Sequence, residues 1–146
     1  MYSQLYVHDG STAQALTGTA VQLTGFATQG PDAATREGDR GAVGVIASDH
    51  ISVKAGLIYR IAFAISAAFS AAGIVQIHAR FGTTELANIA SQRDVVTTSG
   101  VDKILGYQAE GIYIPATDGN ISLYGETSGN GNFTPSHGSL IVQQIG

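Results

Sequence analysis

The sequence predicts an all-β chain, and three observations lead there. Long amphipathic helix patterns are absent. Short alternating apolar runs recur, and 19 glycines, with Asp-Gly, Ser-Gly and Asn-Gly pairs, punctuate them. The clearest run is residues 51–69, ISVKAGLIYRIAFAISAAF, where two strand patterns meet at one Ala-Gly. In the second of these, Leu57, Tyr59, Ile61, Phe63 and Ile65 fall on one face. Ile58, Arg60, Ala62, Ala64 and Ser66 fall on the other. A period of two with β-branched and aromatic residues marks a strand with one face in a core. The second face is small and mostly apolar rather than charged, which points to contact with another sheet or another subunit.

Taken in order, the predicted strands are Ser3–His8, Ala13–Leu16, Ala20–Thr24, Val43–Ala47, His50–Lys54 and Leu57–Phe69. They continue with Gly73–Gly82, Lys103–Gln108, Gly111–Pro115, Asn120–Glu126 and Ser139–Ile145. Thr83–Gly100 reads as an edge strand, with a helical turn as the alternative. Residues 28–41, TQGPDAATREGDRG, carry Pro31, five charges and no large apolar side chain, so they read as a long loop. Residues 1–9 read either as an N-terminal arm or as an ordinary strand. Asp118-Gly119, between IYIPA and NISLYGE, reads as a tight hairpin turn, and Pro115 as a strand end. The glycine-rich GETSGNGN, residues 125–132, reads as a flexible hairpin or loop, since it lacks the lysine and helix of a phosphate cradle. Roughly ten strands without helices leave a sandwich, a jelly roll or a barrel.

At 146 residues and 15.0 kDa the chain suits a single domain, 1–146, that buries roughly two thirds of its unfolded surface. Having no cysteine, it cannot form disulfides, thiolate zinc sites or a thiol nucleophile. Charged residues make up 12% of the chain, against about 25% in an average soluble domain. A surface so weakly ionic suits a protein largely covered by neighbours. With a net charge of −4 and only 7 Lys and Arg in no basic run, nucleic-acid binding is not expected. No stretch reaches the roughly 18 consecutive apolar residues of a membrane span. MYSQLYVHDG has neither a basic lead nor an apolar run, so the expectation is synthesis in the cytoplasm without a signal peptide.

Residue patterns that carry catalysis do not emerge. His8, His50, His78 and His137 are scattered, with no metal-ligand spacing. His78 falls opposite Val75, Ile77, Ala79 and Phe81 and reads as a surface or interface histidine, with an axial ion or pH-sensitive contact as the alternative. Asp94, Asp102, Glu110 and Asp118 lie near turns without a paired-carboxylate spacing. No GxSxG is present. Asn120-Ile-Ser and Asn132-Phe-Thr match the glycosylation triplet, read as accidental without an export signal. The expectation is a protein that is not an enzyme and has no cofactor, catalytic or metal residues.

The order of segments then resembles a known family. HISVKAGLIYRIAFAIS, IVQIHARFG, EGIYIPATDGNISLYGE and a closing FTPSHGSLIVQQIG resemble the jelly roll of tumour necrosis factor and complement-type globular heads. The carriers are Gly56, Tyr59, Ile61 and Phe63, then Ile112, Ile114, Asp118-Gly119, Ile121 and Leu123, then Phe133, Gly138, Leu140 and Val142. The resemblance covers residues 43–146, with a looser match upstream. It implies a tumour necrosis factor-like jelly-roll sandwich and a homotrimer, for which the small Ala62, Ala64, Ala67 and Ala68 give a physical reason.

This short, cysteine-free, Ala/Gly/Thr-rich version looks more like the jelly rolls of tailed-bacteriophage structural proteins. Among these it is similar to head decoration (cement) proteins. The function this implies is a trimeric capsid decoration protein on the virion surface, made in the host cytoplasm and bound to the major capsid protein. Trimer contacts are assigned to Arg60, Ala62, Ala64, Tyr113 and Tyr124. Capsid contacts are assigned to Tyr2, Leu5 and Tyr6 of the arm and to Arg36, Asp39 and Arg40 of the long loop. The alternative is a trimeric tail-fibre or receptor-binding tip that grips a cell-surface glycan, with Tyr107, Tyr113 and Tyr124 as candidate aromatics.

Overall fold

In a computed structural model of the chain, which describes residues 2–7, 10–26, 28–29, 46–47, 50–96 and 103–146, every regular element is a strand. The strands are β1 (Tyr2–Val7), β2 (Gln14–Leu16), β3 (Val21–Gln22), β4 (Thr28–Gln29), β5 (Ile46–Ala47) and β6 (His50–Val53). They continue with β7 (Tyr59–Phe69), β8 (Gly73–Phe81), β9 (Thr84–Val95), β10 (Lys103–Tyr113), β11 (Gly119–Thr127) and β12 (Gly131–Gln144). The first sheet has the order β10-β7-β12-β1-β4, with β2 also on β12. The second has the order β5-β6-β11-β8-β9, with β3 also on β11. All pairings are antiparallel.

The core lies between the sheets, and the alternation in β7 shows why. Of the predicted face, Tyr59, Ile61, Phe63 and Ile65 are buried and Leu57 is partly buried against the core, and Ala67 and Phe69 continue the face inward. They meet Val75, Ile77 and Ala79 of β8 and Ile121 and Leu123 of β11 in one buried cluster. Ala67 therefore belongs to the core, not to an outward small-residue face.

At Ala55-Gly56 the chain crosses from the second sheet, at β6, to the first, at β7. Gly56 has φ +74°, a region that L side chains rarely adopt, and this lets β6 leave one sheet and β7 enter the other. A later crossing, from the first sheet to the second, spans residues 114–118, and there the structure corrects the expected hairpin. β10 lies in the first sheet and β11 in the second, so Asp118-Gly119 joins two sheets. Asp118 is occupied in tying the crossings together. Its Oδ1 accepts from the Ala55 amide at 2.8 Å, its Oδ2 accepts from Lys54 Nζ at 3.1 Å, and the Gly56 amide donates to the Pro115 carbonyl at 2.8 Å.

Three more boundaries differ from expectation. Lys103–Gln108 and Gly111–Pro115 are one continuous strand, β10, that ends before Pro115. The last strand begins at Gly131 rather than Ser139 and carries a bulge between Pro135 and His137. Gly125–Thr127 belongs to β11, with Thr127 buried, so only the middle of GETSGNGN is a turn. The expected edge strand in Thr83–Gly100 is β9, at the end of the second sheet.

Candidate functional site

The outward face of the first sheet is built from three adjacent strands in register. β7 contributes Arg60, Ala62 and Ala64. Opposite them on β10 stand Ile112, Glu110 and Gln108, and on β12 Gln143, Ile141 and Ser139. Because Leu140 and Val142 point into the core, the residues between them must point out. The alanines leave a shallow hollow of about 440 Å³, floored by Ala62 and Ala64 and rimmed by Gln108, Glu110, Ser139 and Ile141. A second hollow of about 580 Å³ adjoins it and is lined by Gln4, Tyr6, Ser66, Gln108, His137 and Ser139, among others. Gly138 lets β12 close on β7 there, since a Cβ would sit 2.8 Å from the Ala64 carbonyl oxygen.

An ion pair on this face joins Arg60 to Glu110. Arg60 Nε donates to Oε1 at 2.8 Å and Nη2 to Oε2 at 2.7 Å, a two-pronged contact that turns both charges toward each other. The guanidinium holds the Glu110 carboxyl below its ordinary titration range, and the carboxylate raises Arg60 in turn. Beside this paired charge the edge strand shows large apolar side chains. Ile104 is 64% exposed, Ile112 50%, and Ile114 just beyond the strand 56%. A face with a small-residue hollow, self-neutralised charge and an apolar edge is suited to burial against protein.

Arg60, Ala62 and Ala64 thus stand together, but the other two residues assigned to the trimer contact do not join them. Tyr113 pairs with the buried Tyr59, so it points inward, and its ring lies 5.4 Å from that of Phe81. Tyr124 is on the opposite side of the molecule, on the outward face of the second sheet, under Arg80. Period-two parity explains both: a tyrosine's amphipathic ring fits either face, and only the pairing register decides.

Of the assigned capsid contacts, Leu5 is fully buried opposite Leu140, so it is a core residue and not an exposed anchor. Tyr6 is half-buried and lines the second hollow. Tyr2 takes the register position opposite Gln143. Tyr2–Val7 is therefore an ordinary strand, and Leu5 and Tyr6 pair with Gln29 and Thr28 at the root of the long segment. Arg36, Asp39 and Arg40 lie outside the described residues. Tyr107 is buried too, edge-on to Phe133 at 5.7 Å.

Sequence reading missed Ile104, Ile112, Ile114, Gln108 and Ile141. The signal was there: read as one strand, residues 103–113 place Ile104, Gln108 and Ile112 on one parity and Leu105 and Tyr107 on the other.

No family model matches the chain, and no curated protein matches it. Solved structures do. Eiger TNF from S. frugiperda superposes with a TM-score of 0.61 at 13% identity, over 99% of this chain and 93% of that one. The infectious bursal disease virus Gt strain structure gives a TM-score of 0.50 at 9% identity, over 99% of this chain and 33% of that one. A mutant VP2 protein of the same virus, in derived T=1 particles, gives 0.50 at 12% identity, over 99% and 32%. The chain spans about a third of the length of those viral chains. At such identities the likeness speaks for the fold. The two antiparallel sheets, their strand order and this superposition make the chain a tumour necrosis factor-like jelly roll.

Proposed function

We propose that this chain is a structural protein of a virus particle, a homotrimer that decorates and stabilises an assembled bacteriophage head. It works by binding and not by catalysis. The observation that carries this reading is the outward face of the first sheet, where an alanine-floored hollow lies beside exposed Ile104, Ile112 and Ile114. Such a face is costly to leave in water and gains by burial, about 25 cal/mol for each Å² of apolar surface. The apolar edge of one copy fits the hollow of the next, a head-to-tail contact that closes into a ring if its rotation allows. Superposition on a viral VP2 chain supports a virion setting for this jelly roll.

Contact with the major capsid protein falls to the other end of the sheet. There β1, carrying Tyr6, runs beside the root of the long segment that holds Arg36, Asp39 and Arg40. Each copy bound to a closed shell and not to free subunits shifts the equilibrium toward the closed shell by mass action.

The test is the ratio of this chain to the shell protein in purified particles, by quantitative mass spectrometry. Copies at a fixed large fraction of the shell protein are expected. A handful per particle would overturn the decoration role in favour of a receptor-binding tip. Absence from particles would overturn the virion setting.

A further inference from the structure

His78 is a buried histidine on a solvent-side face. It stands on the outward register of β8, opposite Tyr124 of β11 and Ala90 of β9, yet its side chain is fully buried. Its ring stacks on Tyr124, with centroids 6.3 Å apart and planes 15° from parallel. Arg80, two residues along the same strand, lies over both. Its Nε donates to His78 Nε2 at 3.0 Å, its Cζ sits 4.4 Å from the Tyr124 ring centre, and its Nη1 reaches the Thr83 carbonyl at 3.3 Å. An arginine can only donate, so Nε2 is the acceptor and the imidazole proton is on Nδ1. That nitrogen has no hydrogen-bond partner among the described residues; the Glu85 carboxylate is 3.9 Å away.

The position matters because the β8–β9 ladder breaks there. His78 pairs with Ala90 but Arg80 pairs with Glu85, so residues 86–89 bulge opposite Ala79. From that bulge Leu86 and Ile89 enter the core, and Ile89 reaches Gly111 of β10 in the other sheet.

We propose that His78 is an acid-operated latch: neutral, it holds Arg80 across the face and closes the β8–β9 bulge; protonated, it releases Arg80 and loosens the segment that carries Leu86 and Ile89. A second proton must go on Nε2, where the Arg80 N–H already points. Two donors and two positive charges would then meet at the edge of a buried ring, and half-buried Arg80, held otherwise by the Thr83 carbonyl and the Tyr124 ring, is the partner that can swing out to water. The charged and titratable groups facing the ring are Arg80 from β8, Glu85 from β9, and Glu126 and Tyr124 from β11. Burial, with Arg80 adding to it, pushes the imidazole below its ordinary 6.5, and the pull of Glu85 and Glu126 does not reverse this. The folded chain therefore binds fewer protons here than the unfolded one. The stabilisation is complete above pH 6.5 and is lost as pH falls from 6.5 through the folded-state value.

The test compares amide exchange over residues 85–91 at pH 7.5 and 5.5, corrected for intrinsic rates, in the wild-type chain and in His78→Gln. The glutamine carbonyl can still accept from Arg80 but cannot take up a proton. Wild-type protection is expected to fall up to about tenfold, the limit for one proton over one unit below 6.5, relative to amides of β7. His78→Gln is expected to show no such change. Unchanged wild-type protection, or an equal loss in the variant, would overturn the latch. Should the variant not fold, nitrogen NMR of the wild-type ring decides. An Nδ1–H tautomer titrating below 6.5, with the Arg80 Nε signal moving at the same midpoint, is expected. A midpoint at or above 6.5, or an Arg80 signal that does not follow, would overturn it.

Discussion

Tyr107 shows how a single side chain is held against its own chemistry. Its hydroxyl is buried without a hydrogen-bond partner among the described residues, and desolvation pushes the phenol up to about 12, with Arg93 pulling the other way. The ring remains because it fills the core against Phe133. A buried hydroxyl without a partner costs more than it returns, so Tyr107→Phe should raise stability by about 1 kcal/mol in urea unfolding. A loss of similar size would mean that the hydroxyl has a partner in solution. Leu5 teaches the complementary lesson. Read alone, an aliphatic residue five positions from the start of the chain suits an anchor. Its pairing with Leu140, which no local pattern reveals, makes it core.

At the scale of elements, two of the crossings between sheets, Ala55-Gly56 and Asp118-Gly119, are tied to each other and were only half legible. The Ala-Gly junction was readable because Gly56 separates two alternating runs. The Asp118-Gly119 junction looked like a hairpin because the same dipeptide serves both uses. What distinguishes them is the long-range bond from the Ala55 amide to Asp118, beyond any window of sequence. Gly56→Ala places a side chain at φ +74° with open space around it, so the cost is backbone strain alone, about 1 kcal/mol by denaturant unfolding. No change in stability would show that the turn relaxes freely. The Ala55 amide, and next the Lys54 ammonium, hold the Asp118 carboxyl below its ordinary 3.8. Its contribution is therefore present above pH 3.8 and lost as pH falls through the lower folded-state value. Asp118→Asn should lower stability near pH 6, where that contribution is present, and flatten the acid limb of a stability curve below pH 3.8. An unchanged acid limb would remove Asp118 from the account of the crossing.

Seen whole, the molecule is a sandwich whose two outer faces differ. On the second sheet, charge and aromatic rings close over themselves around His78. On the first, Arg60 and Glu110 neutralise each other beside an alanine-floored hollow and an edge of exposed isoleucines. The jelly roll and the small outward face of β7 could be read from alternation and segment order. Which residues share that face could not, because Tyr113 and Tyr124 are placed by register and by the choice of sheet. The sedimentation mass of the full chain at micromolar concentration, beside that of Ala64→Arg, tests the assembly face most directly. The substitution would fill the hollow with a long charged side chain on an exposed position, leaving the monomer's melting temperature within a few degrees. The wild-type chain is expected to sediment at three times its 15.0 kDa and the variant as a folded monomer. A wild-type monomer, or a variant that still forms the trimer, would contradict assembly through this face.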